Sequence, residues 1–355
     1  MSWLVPMIKA ARSIRHVGIV IFVSLSGLAQ SNDYRSLPEP SVIINSQRQK
    51  PPEQNSDAQQ NTTPANQEAS EPGYSMRLDV PLVTLDVSVL NPDGYFVNDL
   101  SRGNFRVLED GVPQVITSLA QSRATMSAVL LVEYSAETFA LQLDALRSCF
   151  YFMRTLTPDD WTAVVLFDKR PRIIQDFTQD RTVLQNTLQT MVVPLSREVN
   201  LFDALYDTLD RLQSVEGRKY IILLASGVDT FSRKILDEVY RKIQSAKGIA
   251  IYAIETDRNS EHRQETNQMR SFAQMSGGQF FFATSPQEFA DVCRTVGQSI
   301  RNQYILTYHP THTTRDGAWH KIKIEVVTES GHKEPYQVVA RDGYRGRTKP
   351  TRASS

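Results

Sequence analysis

Cysteine is nearly missing from this chain, with only Cys149 and Cys293 among 355 residues. A disulfide framework is therefore excluded as the source of its stability. Both cysteines fall at apolar positions of predicted helices, where a free thiol behaves as a small hydrophobe. Packed thiols are the first expectation, and a bond between them is the alternative if the first and last helices of their domain are neighbours. Net charge is missing too, since 39 Lys plus Arg face 39 Asp plus Glu. No global field then draws the protein to nucleic acid or to an anionic bilayer, and a specific site has to carry the function.

Gly-x-Gly-x-x-Gly, a Walker loop and a Gly-x-Ser-x-Gly elbow are also absent. Phosphate cradling and serine hydrolysis thus lack their usual backbone devices, and neither cysteine has a local histidine as base, so no enzymatic activity is expected. "SGGQFFF" at 276–282 puts its glycines before a strand, where they make a turn. His309, His312 and His320 cluster around Pro310, a poor rigid frame for a metal, and read as surface histidines.

At the N-terminus, Lys9, Arg12 and Arg15 precede an uncharged run from Val17 to Leu28 that ends in small residues around Gly27 and Ala29. This is the three-part pattern of a secretory signal over residues 1–29, cleaved after Ala29, with a run short for spanning a bilayer. An uncleaved anchor is the alternative; otherwise no membrane insertion follows cleavage, and the location is secreted, periplasmic or cell-envelope. Residues 30–75 are rich in Pro, Gln and Asn and nearly free of aromatics, so they read as a disordered linker. A short disordered tail is expected over 347–355.

From Val83 the chain reads as β structure. Val83, Leu85, Val87 and Val89 alternate with Thr84, Asp86 and Ser88, the period of a half-buried strand, and Asp110-Gly111 marks a hairpin. Residues 76–122 thus supply half of a β-sandwich, and 303–346, with strands in "NQYILTYHP", "WHKIKIEVV" and "YQVVARDGY", are expected to complete it. Separate small β modules are the alternative.

Between them, 123–302 alternates strands and helices: Ala128 to Val132, Trp161 to Phe167, Arg172 to Phe177, Tyr220 to Ala225, Ile249 to Ile254 and Gln279 to Phe282 are short apolar runs of the doubly buried kind. Stripes such as Leu146, Cys149, Phe150, Met153 and Leu201, Leu205, Leu209, Leu212 mark core-facing helices. Pro171 leaves so short a connection that the second and third strands should form an antiparallel edge hairpin. The expected fold class is α/β, a doubly wound, mostly parallel sheet flanked by a small β-sandwich.

Ligands of open α/β sheets bind beyond the carboxyl ends of the strands. Three pieces of sequence fall there: Glu133, Ser135 and Glu137 after the first strand, "EVNLFDALYD" at a helix start near Asn200, and Ser226 with Asp229 after a later strand. Carboxylates and hydroxyls of this kind are hard oxygen ligands, suited to Mg²⁺, Ca²⁺ or Mn²⁺. Asp203 and Asp207 sit in the following helix, where an acid in the first turn also favours the helix dipole.

With "FRVLEDGVPQVIT", "AVVLFDKRPRIIQDFTQDRTVL", "LFDALYDTL", "ILLASGVDT" and "NQYILTYHP", the chain resembles the von Willebrand factor A (vWA) family, and more closely its branch in acidobacterial exported proteins, over most of residues 78–345. The resemblance implies a Rossmann-like fold and a metal-ion-dependent adhesion site whose cation completes its shell with a partner's carboxylate. It implies Glu133, Ser135, Glu137 and Ser226 as the metal-ligand positions, for Mg²⁺ or Ca²⁺ where an ion binds. The pattern is degenerate: Glu133 stands for the family's first Asp, Ser135 matches, Glu137 stands for a Ser, Val199 for a Thr, and Ser226 for a later Asp. Mg²⁺, which demands near-ideal octahedral geometry, should tolerate this less well than Ca²⁺. Two functions stay open: an exported protein-binding or adhesion module using this rim, with or without a divalent cation, and a structural component of an envelope assembly with an inert, metal-free rim. A protein partner is expected in either case, and the oligomeric state is not legible.

Overall fold

The structure, a computed structural model, describes residues 82–121, 124–136, 139–189, 194, 196–256, 263–311, 317–328 and 330–346. The expected signal, linker and C-terminal tail lie outside these residues, as do Glu137 and His312. The N-terminal strands are β1 (Val83–Leu90), β2 (Phe105–Glu109), β3 (Val112–Gln114) and β4 (Ile116–Gln121). β2 and β3 form the expected two-residue hairpin, and Asp110 and Gly111 at its tip take φ of 51° and 84°. Positive φ at both central positions gives the turn the twist that the strands need, which is why Asp-Gly suits it.

From Met126 the chain alternates: β5 (Met126–Glu133), α1 (Phe139–Met153), β6 (Trp161–Phe167), β7 (Pro171–Thr178), α2 (Arg181–Gln189), α3 (Leu201–Gln213), β8 (Arg218–Ala225), α4 (Leu236–Ser245), β9 (Ile249–Glu255), α5 (Arg263–Ser276), β10 (Phe280–Phe282) and α6 (Pro286–Arg301). These strands form one sheet in the order β10-β9-β8-β5-β6-β7, parallel throughout except β7, which runs antiparallel to β6 at the edge. The short Pro171 connection leads to that outcome. Apolar residues on both faces of β5 explain its central place: Leu130 and Val132 pack with α1, α2 and α6, while Val129 and Leu131 pack with α3, α4 and α5. The Leu201, Leu205, Leu209 and Leu212 stripe is fully buried, and each such side chain contributes about 1.5–3 kcal/mol.

The strand order turns back at β5. The chain fills one side of the sheet with β6 and β7 and the other with β8, β9 and β10, so a topological switch point lies between β5 and β8. The crevice beyond their carboxyl ends is where such a sheet offers a site.

The last strands are β11 (Tyr304–Tyr308), β12 (Trp319–Val326), β13 (Gln337–Val339) and β14 (Gly343–Arg345). They pair with the first ones in two sheets, β13-β1-β11-β4 and β14-β12-β2-β3, which share a core including Leu85, Val87, Phe105, Tyr304 and Ile322. Both chain crossings into this β unit, after β4 and after α6, enter at the amino ends of the parallel strands. A polar seam binds the two units there: Arg218 lies 3.4 Å from Asp86, the Tyr220 hydroxyl donates to Gln303 (2.9 Å), and Ser299 meets Ser88 (3.3 Å). His320 departs from the surface-histidine expectation, since it is half-buried on β12 with its Nδ1 2.9 Å from Asp110 Oδ2.

Helices α1 and α6 are neighbours in one apolar cluster that holds both Cys149 and Cys293. The Cys149 thiol hydrogen-bonds to Cys293, and that contact together with burial raises its pKa well above the usual thiol value. Both sulfurs are buried away from reagents, so both should be inert in the folded chain. Alkylation of the reduced native protein is expected to be slow at both positions and rapid for both in denaturant. Fast labelling of the folded protein would contradict this packing.

Candidate functional site

β5 delivers Glu133 at its last position, and the backbone continues past the sheet edge with Tyr134 N–H donating to Phe167 O (2.7 Å) and Ala136 N–H to Ser196 O (2.8 Å). The Glu133 carboxylate points across the switch point. Its Oε2 accepts from both the backbone N–H and the hydroxyl of Ser226, each at 2.7 Å, and its Oε1 accepts from the Ser135 hydroxyl at 3.0 Å. Ser226 Oγ in turn accepts the Val228 N–H (3.3 Å). Three of the four sequence-predicted ligand positions therefore meet, as the topology required. They do not line an open surface, however: Glu133 and Ser135 are 1% exposed and Ser226 is 4% exposed. The extra methylene of Glu over Asp lets the β5 carboxylate reach the β8 loop directly and close the gap.

The next loops are stitched to this centre. Val199, at the family's Thr position, is buried and offers no oxygen from its side chain, but its carbonyl accepts Thr230 N–H (2.8 Å) and Phe231 N–H (2.9 Å), while its own N–H donates to Thr230 Oγ1 (2.9 Å). Asp229 Oδ1 accepts the Ser232 hydroxyl (2.6 Å) and the Phe202 N–H at the start of α3 (3.2 Å). Asp203 accepts from Arg233 N–H (3.1 Å) and Lys234 N–H (2.8 Å). It thus holds the β8–α4 loop, in addition to its favourable place in the helix dipole. Gly227 allows the turn, with φ of 87° and a Cβ position 3.1 Å from Met269 Cγ. The Asn200 amide donates to Lys169 O (2.8 Å), and its own buried Oδ1 has no hydrogen-bond partner among the described residues.

Above the closed centre, the loop presents Phe231, 51% exposed, and Ile235, 60% exposed. The Lys169 ammonium lies 6.0 Å from the Phe231 ring centroid and 3.1 Å from Glu198 Oε2. No sequence signal marks this pairing, because Lys169 and Phe231 lie on different loops.

No family model matches the chain, and no curated protein matches it. Among solved structures it is similar to the PilB minor pilin of Streptococcus sanguinis, with 13% identity over 52% of this chain and 63% of the pilin, at a TM-score of 0.43. It is also similar to the vWF domain of the type V pili tip protein Mfa5 of Porphyromonas gingivalis, with 14% identity over 50% of this chain and 95% of that domain (TM-score 0.43). A third is proximal thread matrix protein 1 of the mussel byssus with a zinc-occupied MIDAS motif, at 15% identity over 53% of this chain and 48% of that one (TM-score 0.43). The chain thus spans less than two thirds of the pilin and of the byssus protein. Its own strand order, five parallel strands and one reversed edge strand, makes the fold vWA-like.

The described donors do not fit a hard-cation shell. Glu133 is the one carboxylate among the described ligand positions, Ser135 and Ser226 add one neutral oxygen each, and Val199 supplies no side-chain oxygen. Asn200 Oδ1 is a single neutral donor, whereas Mg²⁺ and Ca²⁺ sites gather six or more oxygens with carboxylates among them. A second group of donors, Glu109, Asp110 and His320, lies within 4.8 Å in the β-sandwich. There Glu109 accepts the Tyr308 (2.6 Å) and Tyr344 (3.1 Å) hydroxyls, and Asp110 accepts Lys321 N–H (2.8 Å).

Replacing Glu133 by Ala should destabilise the chain by about 3 kcal/mol, because it leaves a buried N–H and two hydroxyls without their acceptor. Urea unfolding measures it, and the midpoint of the wild type should be the same in EDTA and in Mg²⁺. A higher midpoint in Mg²⁺ would mean that the centre opens for the ion.

Desolvation raises the pKa of Asp229, and its hydrogen bonds to Ser232 and Phe202 offset this only in part. A carboxyl raised in the folded state contributes stability that is present below the unfolded pKa of 3.8 and lost as pH rises through the folded value. Asp229→Asn keeps an acceptor without the charge. Thermal melts should show it at least as stable as wild type at pH 7, with any advantage vanishing below about pH 4, where the wild-type carboxyl is itself neutral.

Proposed function

We propose that the chain is an exported protein-binding module whose vWA-like rim engages its partner without a bridging cation. The observation that carries this reading is the closure of Glu133 onto Ser226 and Ser135, which ties these side chains to one another in a buried centre with a single carboxylate. The rim lies at the carboxyl ends of the parallel strands, opposite the end where the β-sandwich is attached, and so leaves room for a partner. Phe231 and Ile235 stand out from it where a buried centre supports them from below. We place the chain with the acidobacterial exported branch of the vWA family, as a member with a degenerate adhesion site, on its sequence blocks and on its substitutions at Glu133, Val199 and Ser226. Export rests on the charged, apolar and small-residue order of its first 29 residues.

The reading is non-catalytic. Cys149 and Cys293 are buried, and His320 is engaged with Asp110 in the β-sandwich, far in the fold from the rim. A second reading, an envelope component whose β-sandwich makes the contacts, is favoured by one observation: Glu133, Ser135 and Ser226 are too buried to touch anything outside.

Affinity capture from native envelope extract separates the two. The rim reading expects one partner set, retained equally in EDTA and in Mg²⁺ and lost with Phe231→Ala. Capture that requires Mg²⁺ would restore a cation bridge, and capture unaffected by Phe231→Ala would transfer the contacts to the β-sandwich.

A further inference from the structure

We infer that the β-sandwich carries a site for a first-row divalent transition-metal ion, held by Glu109, Asp110 and His320. It lies outside the rim and does not depend on how the rim binds. Glu109 ends β2 and Asp110 follows it at the tip of the hairpin, while His320 stands on β12, 210 residues after Asp110. Antiparallel pairing of β12 with β2 and with β14 brings them together, in a register that sets Glu109 opposite Ile322 and His320 opposite Tyr344. His320 Nδ1 lies 2.9 Å from Asp110 Oδ2 and 3.7 Å from Glu109 Oε1, and one donor atom from each of the three residues lies within 4.8 Å of the others.

Donors about 2.1 Å from a shared Zn²⁺ stand about 2.9 Å apart at right angles and about 3.4 Å apart at the tetrahedral angle. The two distances at His320 already fall close to these values. The carboxylates are held from behind: Glu109 Oε2 accepts the Tyr308 hydroxyl (2.6 Å), Glu109 Oε1 accepts the Tyr344 hydroxyl (3.1 Å), and Asp110 Oδ1 accepts the Lys321 N–H (2.8 Å). A carboxylate oxygen that accepts one hydrogen bond keeps a lone pair for an ion. The Tyr344 ring lies against the imidazole, with 5.2 Å between the centroids. Supporting contacts of this kind orient the ligands of metal centres.

Charge favours an ion as well. Among the described residues, the His320 imidazole is the only basic side chain within 4.0 Å of either carboxylate, so two acids share one weak base. An ion of charge +2 takes the place of the proton between Nδ1 and Asp110 Oδ2, neutralises both acids and releases that proton to water. An imidazole nitrogen among the donors suits Zn²⁺ and its first-row neighbours, whereas Mg²⁺ and Ca²⁺ gather oxygens. The Asp110 side chain is 50% exposed and gives the ion a way in, while that of Glu109 is 5% exposed and forms the floor. Three protein donors leave a position for water. The ion then cross-links the hairpin tip to β12 and stabilises the folded chain by linkage.

The test uses the full chain, stripped with chelator and dialysed, which also frees the Mg²⁺ comparison at the rim from any ion held here. Calorimetric titration with Zn²⁺ should show saturable binding of one equivalent. Co²⁺ should give visible absorption that saturates at the same equivalence, and excess Mg²⁺ should not displace it. Tyr344→Phe keeps the ring on His320 but removes a hydrogen bond from Glu109, and should weaken Zn²⁺ binding roughly tenfold. His320→Ala and Asp110→Asn should weaken it further, and Asn suits the φ of 51° at that position. Thermal melts check that the variants are folded; Zn²⁺ should raise the melting temperature of wild type and not that of His320→Ala. The inference is overturned if Zn²⁺ shows no saturable binding up to millimolar concentration, which would leave the cluster an ion pair only. It is equally overturned if Mg²⁺ displaces Co²⁺, or if folded His320→Ala and Asp110→Asn chains bind Zn²⁺ as wild type does. None of these results bears on the rim, whose own test is the loss of partner with Phe231→Ala.

Discussion

A carboxylate buried at the end of a central strand has to find donors, and this requirement organises the upper half of the molecule. Left without hydrogen bonds, a charged group in that position would cost several kcal/mol. Among the described residues, Glu133 takes its donors from the β8 loop, which brings it both the N–H and the hydroxyl of Ser226, and from Ser135, which faces back from the end of β5. The loop can do so because Gly227 accepts a positive φ. Once Ser226 is held, the following residues are close enough for Val199 to take two of their N–H groups and for Asp203 to take two more. Each of these bonds contributes modestly by itself, about 1 kcal/mol, but together they specify one path for a loop of ten residues.

Most of the scaffold could be read in advance because it is written in periodicity. Doubly apolar runs located the strands of the central sheet, a proline and a short connection located its reversed edge, and Asp-Gly located the hairpin. The convergence of Glu133, Ser135 and Ser226 was also legible, since strand ends of a parallel sheet share one rim. Their burial was not. Alternating polar residues after an apolar run look the same whether they face solvent or one another, and only the path of the facing loop decides. Lys169 and Phe231 lie on separate loops, and Asp203 grips a segment thirty residues further on. Contacts of that range leave no local pattern.

The polar seam at the other end of the sheet shapes what the rim can do. Arg218 beside Asp86 and the Tyr220, Gln303 and Ser299 contacts join the β-sandwich to the amino ends of β8 and β9. Burial there raises the pKa of the Asp86 carboxyl, against the opposing effect of Arg218, so the pair is held in a dry interface where its loss would expose an unmatched charge. A seam of this kind makes the sandwich a fixed base, with the rim presented at the far end.

Set beside the vWA pattern that the sequence resembles, the rim residues are consistent with one another as a set. A longer acid at Glu133 reaches the opposite loop, a serine at 226 supplies a hydroxyl donor where a second acid would repel, and a valine at 199 removes an oxygen while keeping the backbone groups that hold Phe231. Any one change alone would leave an unsatisfied group: Glu133 facing an aspartate would place two carboxylates in contact, and Ser226 facing a shorter acid would leave a gap. On the cation-free reading proposed above, the combined result uncouples the rim from ion concentration. A site completed by a cation binds its partner only to the extent that the ion is loaded, by simple linkage, whereas a site completed by hydrogen bonds within the chain is present whenever the chain is folded. Control on that reading rests with the groups left facing solvent, among them the Phe231 ring.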